Sequence, residues 1–327
     1  MLSPNRSNKR GASGRIRSFS VTNRYACTIS PMNRRTFLES SFAAGVLASF
    51  PSCTFANTHQ ISKVGVQLYT VRSLMKGDFA GTIARVASTG YREVEFADYF
   101  DHSPAEVRAI LDKNGLSAPS CHVSFDVVEK EWPKTIDAAH TIGHRFIVCP
   151  FIEKNRRNSA DTWKRTIDLF NKAGEASLKA GIQFAYHNHW WEFAPDANLG
   201  GKLPYDYLLE SLDPKLVKME MDLGWASVAG QDPVSYFKRY PGRFELVHVK
   251  DFKSLPHLQP AQLATFNADD LIKTDMTAPG SGVIDWKHIF ASSDVAGIQH
   301  YFLEHDSPED PWATLTEGYK YLSTLTF

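Results

Sequence analysis

From Ile61 onward, short runs of apolar and β-branched residues alternate with longer stretches whose apolar positions recur every three to four residues. Eight such pairs are predicted. The strand-like runs are Lys63–Leu68, Arg92–Phe96, Ala118–Val123, Arg145–Cys149, Gln183–His187, Val217–Asp222, Glu245–Val249 and Gln299–Glu304. Helical periodicity occupies Phe79–Thr89, Pro104–Asn114, Thr162–Ala180, Tyr205–Leu212, Pro233–Tyr240, Trp286–Ala291 and Pro311–Leu325. Gly90, Gly115 and Gly181 follow helical runs at points where the chain must turn left-handed before the next strand.

Eight alternations in about 265 residues predict an α/β chain closed as a single (β/α)8 TIM barrel. An open doubly wound sheet is the rival architecture. It is disfavoured because no glycine-rich dinucleotide turn follows the first run and no linker sets off a second domain.

The chain before Ile61 has a different character. Residues 1–31 hold Arg6, Lys9, Arg10, Arg15, Arg17 and Arg24 and no acid. From Met32 the sequence MNRRTFL leads into a weakly polar run of about 14 residues and then Thr54-Phe55-Ala56. This resembles a twin-arginine signal, with Arg34 and Arg35 as the pair and cleavage near Ala56. The run is too short to span a bilayer. The expected organisation is an upstream extension over residues 1–31, with Met32 as an alternative start, a signal over 32–56 and the barrel over 57–327. The expected partner is the Tat export machinery and the expected location the bacterial periplasm. Lipid attachment at Cys53 is the alternative, although Phe50-Pro51-Ser52 makes a poor lipoprotein cleavage sequence.

Processing would also change the charge. The chain carries 36 basic and 36 acidic residues; removing the eight basic residues and one acid up to Ala56 leaves about −7. An acidic domain without a basic stripe excludes nucleic acid as a partner. Cys121 and Cys149 would remain, close enough in strand order to conceive of a bridge, but two buried thiols are the favoured reading.

In a (β/α)8 barrel the reactive groups sit where strands end. Here those ends present Gln67 and Tyr69; Glu95; His122; His187, Asn188 and His189; Glu220 and Asp222; His248, Lys250 and Asp251; and Glu304, His305 and Asp306. One polar strand end is ordinary. Carboxylates and imidazoles from several strands converging on one axis repel one another unless a cation or shared protons neutralise them. His with Asp/Glu and no cysteine suits one divalent metal, Mn²⁺ foremost, with Zn²⁺, Co²⁺ and Mg²⁺ as alternatives.

The segments GVQLYTVR (65–72), GYREVEFADYF (90–100), CHVSF (121–125), YHNHWWEF (186–193), MDLGWASVAGQDP (221–233), HVKDF (248–252), PGSGVIDW (279–286) and YFLEHD (301–306) resemble the sugar phosphate isomerase/epimerase family with a xylose-isomerase-like TIM barrel. The resemblance implies one divalent metal held by side chains from strands 5 to 8, commonly Glu, Asp, His and Glu. Asp222, His248 and Glu304 match the last three. At strand 5 the sequence departs from that pattern with His187, the favoured ligand, and His189 on the same strand face.

The expected chemistry is proton abstraction from a carbon next to a carbonyl of a small carbohydrate, with Glu304 as base. Lys250, His122 and Glu192 are further catalytic candidates. Glu95, His189, Trp225 and Asp251 are expected to touch substrate, with Trp190 and Trp191 as additional stacking surfaces. The loop around Gly280 and Gly282 has a counterpart in the family that closes near the site. Export points to an unphosphorylated sugar. Isomerisation or epimerisation is the leading outcome; elimination on a 3-keto-glycoside and a non-catalytic carbohydrate-binding barrel are the alternatives. The pattern leaves homo-oligomerisation open.

Overall fold

The computed structural model describes residues 59–327, so the twin-arginine segment, Cys53 and the upstream extension lie outside the described residues. Among the described residues no helix is long and apolar enough to cross a membrane.

Ten strands occur in chain order: β1 (Val64–Gln67), β2 (Glu93–Phe96), β3 (Ser117–His122), β4 (Phe146–Cys149), β5 (Gln183–His187), β6 (Val217–Asp222), β7 (Phe244–Val249), β8 (Asp251–Phe252), β9 (Met276–Thr277) and β10 (His300–Leu303). β1 to β7 and β10 form a closed barrel in which every pairing is parallel. All eight expected strands are present, within two residues of their expected ends. β8 and β9 form a small antiparallel ribbon between β7 and β10.

The helices start where short polar side chains can satisfy their free N–H groups. Ser103 and Glu106 make a capping box on Pro104–Asn114, and Asp78 and Asp310 cap Phe79–Thr89 and Pro311–Thr324. Helix Ala160–Lys179 buries Trp163, Ile167, Phe170 and Ala173, the stripe that its periodicity demands. Two helices that the pattern leaves unassigned, Phe125–Lys130 and Trp132–Ile142, fill the β3–β4 connection. At the barrel's base, backbone pairing between His59 and Phe327 joins the two ends of the described chain.

Inside the barrel, strand alternation builds layers. Phe146, Val148, Ala185, Leu246 and Phe302 form an apolar cluster separate from the main core. Two residues further along the same strands stand His187, His248 and Glu304. A period of two thus carries each strand from the apolar plug to a polar layer at the C-terminal rim.

Candidate active site

Above the plug, an open cavity of about 770 Å³ is lined by His122, His187, His189, Trp190, Trp225, Lys250, Glu304 and Asp306, with Tyr69, Arg72, Phe151, Asp269 and Lys273 among its other walls. Its polar floor has two levels. Asp222, His248 and Glu304 bring ligand atoms within 4.8 Å of one another, and so do His122, His187, Glu220 and His248. His187 therefore sits in the adjoining group, with its Nε2 3.8 Å from Asp222 Oδ2.

The charges are closely interlocked. Lys250 Nζ lies 2.6 Å from Asp306, 2.8 Å from Glu304 and 3.2 Å from Asp222. Burial works against its charge, but these three carboxylates overcome it and hold the ammonium well above the ordinary lysine range. Burial would likewise raise Glu304, yet Lys250 and His248 hold it well below the usual carboxylate range. Asp222 goes the other way: burial pushes it up to about 6 against the pull of Lys250 and His248. Burial would lower His122, but Glu95 and Glu220 raise it to about 9. His189 is half-buried without a carboxylate partner, and desolvation of its ring lowers it to about 3, with Lys250 adding to the effect. It is a neutral imidazole at pH 7.

Gly224 permits this crowding. A Cβ there would stand 2.6 Å from the Lys250 carbonyl oxygen and 2.7 Å from the Lys250 Cβ, closer than such contacts allow.

Three expected site residues have other work. Asp251 is fully buried and does not line the cavity. Its carboxylate accepts from the backbone N–H groups of Phe252, Gly280, Gly282 and Ile284 and from Trp286 Nε1, so its oxygens anchor the 280–286 loop. Glu192 lies behind the wall, accepting from the Tyr186 hydroxyl at 2.6 Å and from the His189 backbone N–H at 2.9 Å. Burial raises it to about 8. Glu95 is beneath the cavity, bonded to Gln67, Ser120, His122 and His248. These corrections share a cause: strand-end position gives a residue's height in the barrel, while its partners decide whether it reaches the cavity.

The structure also adds members to the expected set. Asp306 lines the cavity beside Lys250. Glu220 Oε2 lies 2.7 Å from His122 Nε2, 3.1 Å from His187 Nδ1 and 3.2 Å from His248 Nε2. The signal for Glu220 was present in its spacing of two from Asp222. Cys121 and Cys149 are buried free thiols.

Residues 83–323 match the family model for the xylose isomerase-like TIM barrel. Inosose dehydratase from Geobacillus thermodenitrificans is 24% identical over 263 residues, spanning 71% of this chain and 83% of that protein. Inosose dehydratase from Lacticaseibacillus casei is 23% identical over 259 residues, spanning 71% and 83%. Among solved structures, a sugar phosphate isomerase/epimerase from Parabacteroides distasonis superposes with a TM-score of 0.64 at 24% identity, covering 80% of this chain and 93% of its own. The probable 3-DHS dehydratase of Bacillus anthracis gives 0.56 at 12% identity, covering 79% and 97%. The eight-stranded parallel barrel and the family match over most of its length agree: this chain belongs to the xylose isomerase-like TIM barrel family.

Proposed function

We propose that the chain enolises an unphosphorylated keto sugar or keto cyclitol at a divalent-metal site, removing a proton from the carbon beside the carbonyl. The observation that carries this reading is a set of under-satisfied buried polar atoms: His189 Nδ1 and Trp225 Nε1 in the cavity walls have no hydrogen-bond partner, and Asp222 Oδ2 has only its ion pair with Lys250 at 3.2 Å. Buried atoms of this kind are costly unless a ligand or water satisfies them.

The residues fit a metal. Glu95, Glu220, Asp222, Glu304 and Asp306 place five carboxylates around Lys250 and the imidazoles of His122 and His248, and no thiolate is among the donors. Even with both imidazoles charged, acid exceeds base by two charges. Asp222, His248 and Glu304 would hold the ion, with His187 Nε2 adjoining. Bound there, it would supply polarisation of the substrate carbonyl.

The chain's own groups divide the remaining work. Glu304, kept ionised by its two cations, accepts the carbon-bound proton. Lys250 donates to the oxygen on which negative charge grows. His122, protonated at neutral pH, carries a proton on the ring nitrogen that Glu220 does not engage and delivers it to a leaving hydroxyl or back to carbon. Delivery to a leaving group gives elimination, the outcome favoured by relatives whose names are dehydratases. Delivery to carbon gives epimerisation or isomerisation. The reading of an unphosphorylated substrate rests on the expected export.

The test is metal analysis of the purified protein with a screen of keto sugars and inososes in D₂O, followed by NMR. Deuterium uptake or loss of water supports the reading. Metal-loaded protein that exchanges no proton in any candidate would instead favour the carbohydrate-binding alternative.

A further inference from the structure

The two imidazoles nearest the proposed metal each have a buried carboxylate behind them. His187 Nδ1 lies 3.1 Å from Glu220 Oε2, which leaves its Nε2 toward Asp222. His248 is reversed: its Nε2 lies 2.6 Å from Glu95 Oε2, and its Nδ1 lies 2.7 Å from Glu304 Oε2. Between the two carboxylates sits His122, whose Nε2 is 2.7 Å from Glu220 and 3.2 Å from Glu95. Glu95 and Glu220 are fully buried. Glu95 is held further by donors from Gln67 and Ser120.

We propose that Glu95, His122 and Glu220 form a positioning layer, in which Glu220 fixes His187 as an Nε2 donor, Glu95 fixes His248 as an Nδ1 donor, and His122 ties the two carboxylates together. A metal-bound imidazole is neutral and holds its proton on the nitrogen backed by a carboxylate, so the opposite nitrogen offers the lone pair; on His248 that is Nδ1, on the side of the proposed ligand Glu304. The layer thus chooses which nitrogen of each ring is available as a ligand and locks the ring's orientation. It also resolves strand 5: His187 has a carboxylate behind it, whereas His189 Nδ1 has no hydrogen-bond partner and its backbone is held by Glu192. This inference rests on the metal reading above, and it concerns the residues that prepare the ligands.

The experiment titrates metal-stripped full-length protein with Mn²⁺ and records the visible spectrum with Co²⁺. It compares wild type, Glu220→Gln, Glu95→Gln, His187→Ala and the Glu220→Gln/His187→Ala pair. Glu93→Gln is the control, because Glu93 is a buried carboxylate bonded to His300, a residue outside the cavity. The expected result is an affinity loss of about 10- to 100-fold for Glu220→Gln and Glu95→Gln, with an altered Co²⁺ spectrum and none of this in the control. In the His187→Ala background the Glu220 effect should shrink to the part carried through His248, whose Nε2 lies 3.2 Å from the same carboxylate. Wild-type affinity in both Gln variants, or a Glu220 effect of the same size with and without His187, overturns the positioning layer. If Glu220→Gln does not fold, Glu95→Gln read through His248 decides the matter alone. Absence of Mn²⁺ binding by wild type overturns the metal reading and this one with it.

Discussion

Lys250 Nζ lies 2.8 Å from Glu304 Oε2, and His248 Nδ1 stands 2.7 Å from the same oxygen. One carboxylate oxygen between two cations stays ionised across the working pH range, ready to take a proton from a polarised substrate. Glu304→Gln keeps the shape and one coordinating oxygen. It should retain much of its metal and lose on the order of 10²-fold or more in turnover. Near-normal turnover in a metal-loaded Gln variant would move the base elsewhere, with His189 the next candidate on the cavity wall.

Gly224→Ala tests the close approach of the chain after β6 to Lys250. The added methyl meets backbone and Cβ atoms, which cannot rotate away. A cost of about 1–3 kcal/mol in stability is expected, the usual range for overpacking. Turnover should fall further than stability, because the displaced group is Lys250. A variant with wild-type unfolding and turnover would show that the approach has slack.

A pH effect on stability should come from His144, far from the proposed ligands in its bonding. Its Nδ1 donates to the Ala118 carbonyl at 2.6 Å, and its Nε2 faces the Tyr99 hydroxyl at 2.8 Å. Burial lowers it to about 4, against an ordinary value near 6.5. The folded state therefore binds fewer protons than the unfolded chain between these values. Its contribution is complete above pH 6.5 and is lost as pH falls toward 4, about 3 kcal/mol in all. Denaturant midpoints at pH 7.5 and 4.5 should fall more steeply for wild type than for His144→Gln. Parallel losses would remove His144 as the cause.

The expected export is tested in cells. Arg34→Lys with Arg35→Lys should leave the protein in the cytoplasm, and normal periplasmic accumulation would sink the twin-arginine reading. A chain beginning at residue 57 should unfold cooperatively, since it keeps the closed barrel and the backbone pairing of His59 with Phe327.

The barrel was legible because its physics is local: strands of period two, helices of period 3.6 and caps such as Asp78 and Ser103 can each be read over a few residues. That strand-end carboxylates and imidazoles converge was legible for the same reason, while singling out Asp222, His248 and Glu304 among them took the family resemblance. Partnership was not. Glu192 and His189 are three residues apart, yet only packing shows that one faces the cavity while the other holds its backbone from behind. Glu220 was visible as a polar strand end, but its contact with three imidazoles from other strands depends on barrel register, which a single sequence does not state.

The Asp251 junction has a consequence for how this barrel could change over time. Its carboxylate clasps both ends of an excursion that leaves β7 and returns before β10, while Phe252, Ala268 and Met276 give that excursion a small core with Trp225. The segment is a cassette with its own fastening. Residues 254–278 include Asp269, Ile272 and Lys273 of the cavity wall, yet none of the proposed metal ligands. Exchanging them while keeping Asp251 and the 280–286 loop would alter which molecules enter, with the reacting groups left in place, so substrate range and chemistry can evolve on separate stretches of chain.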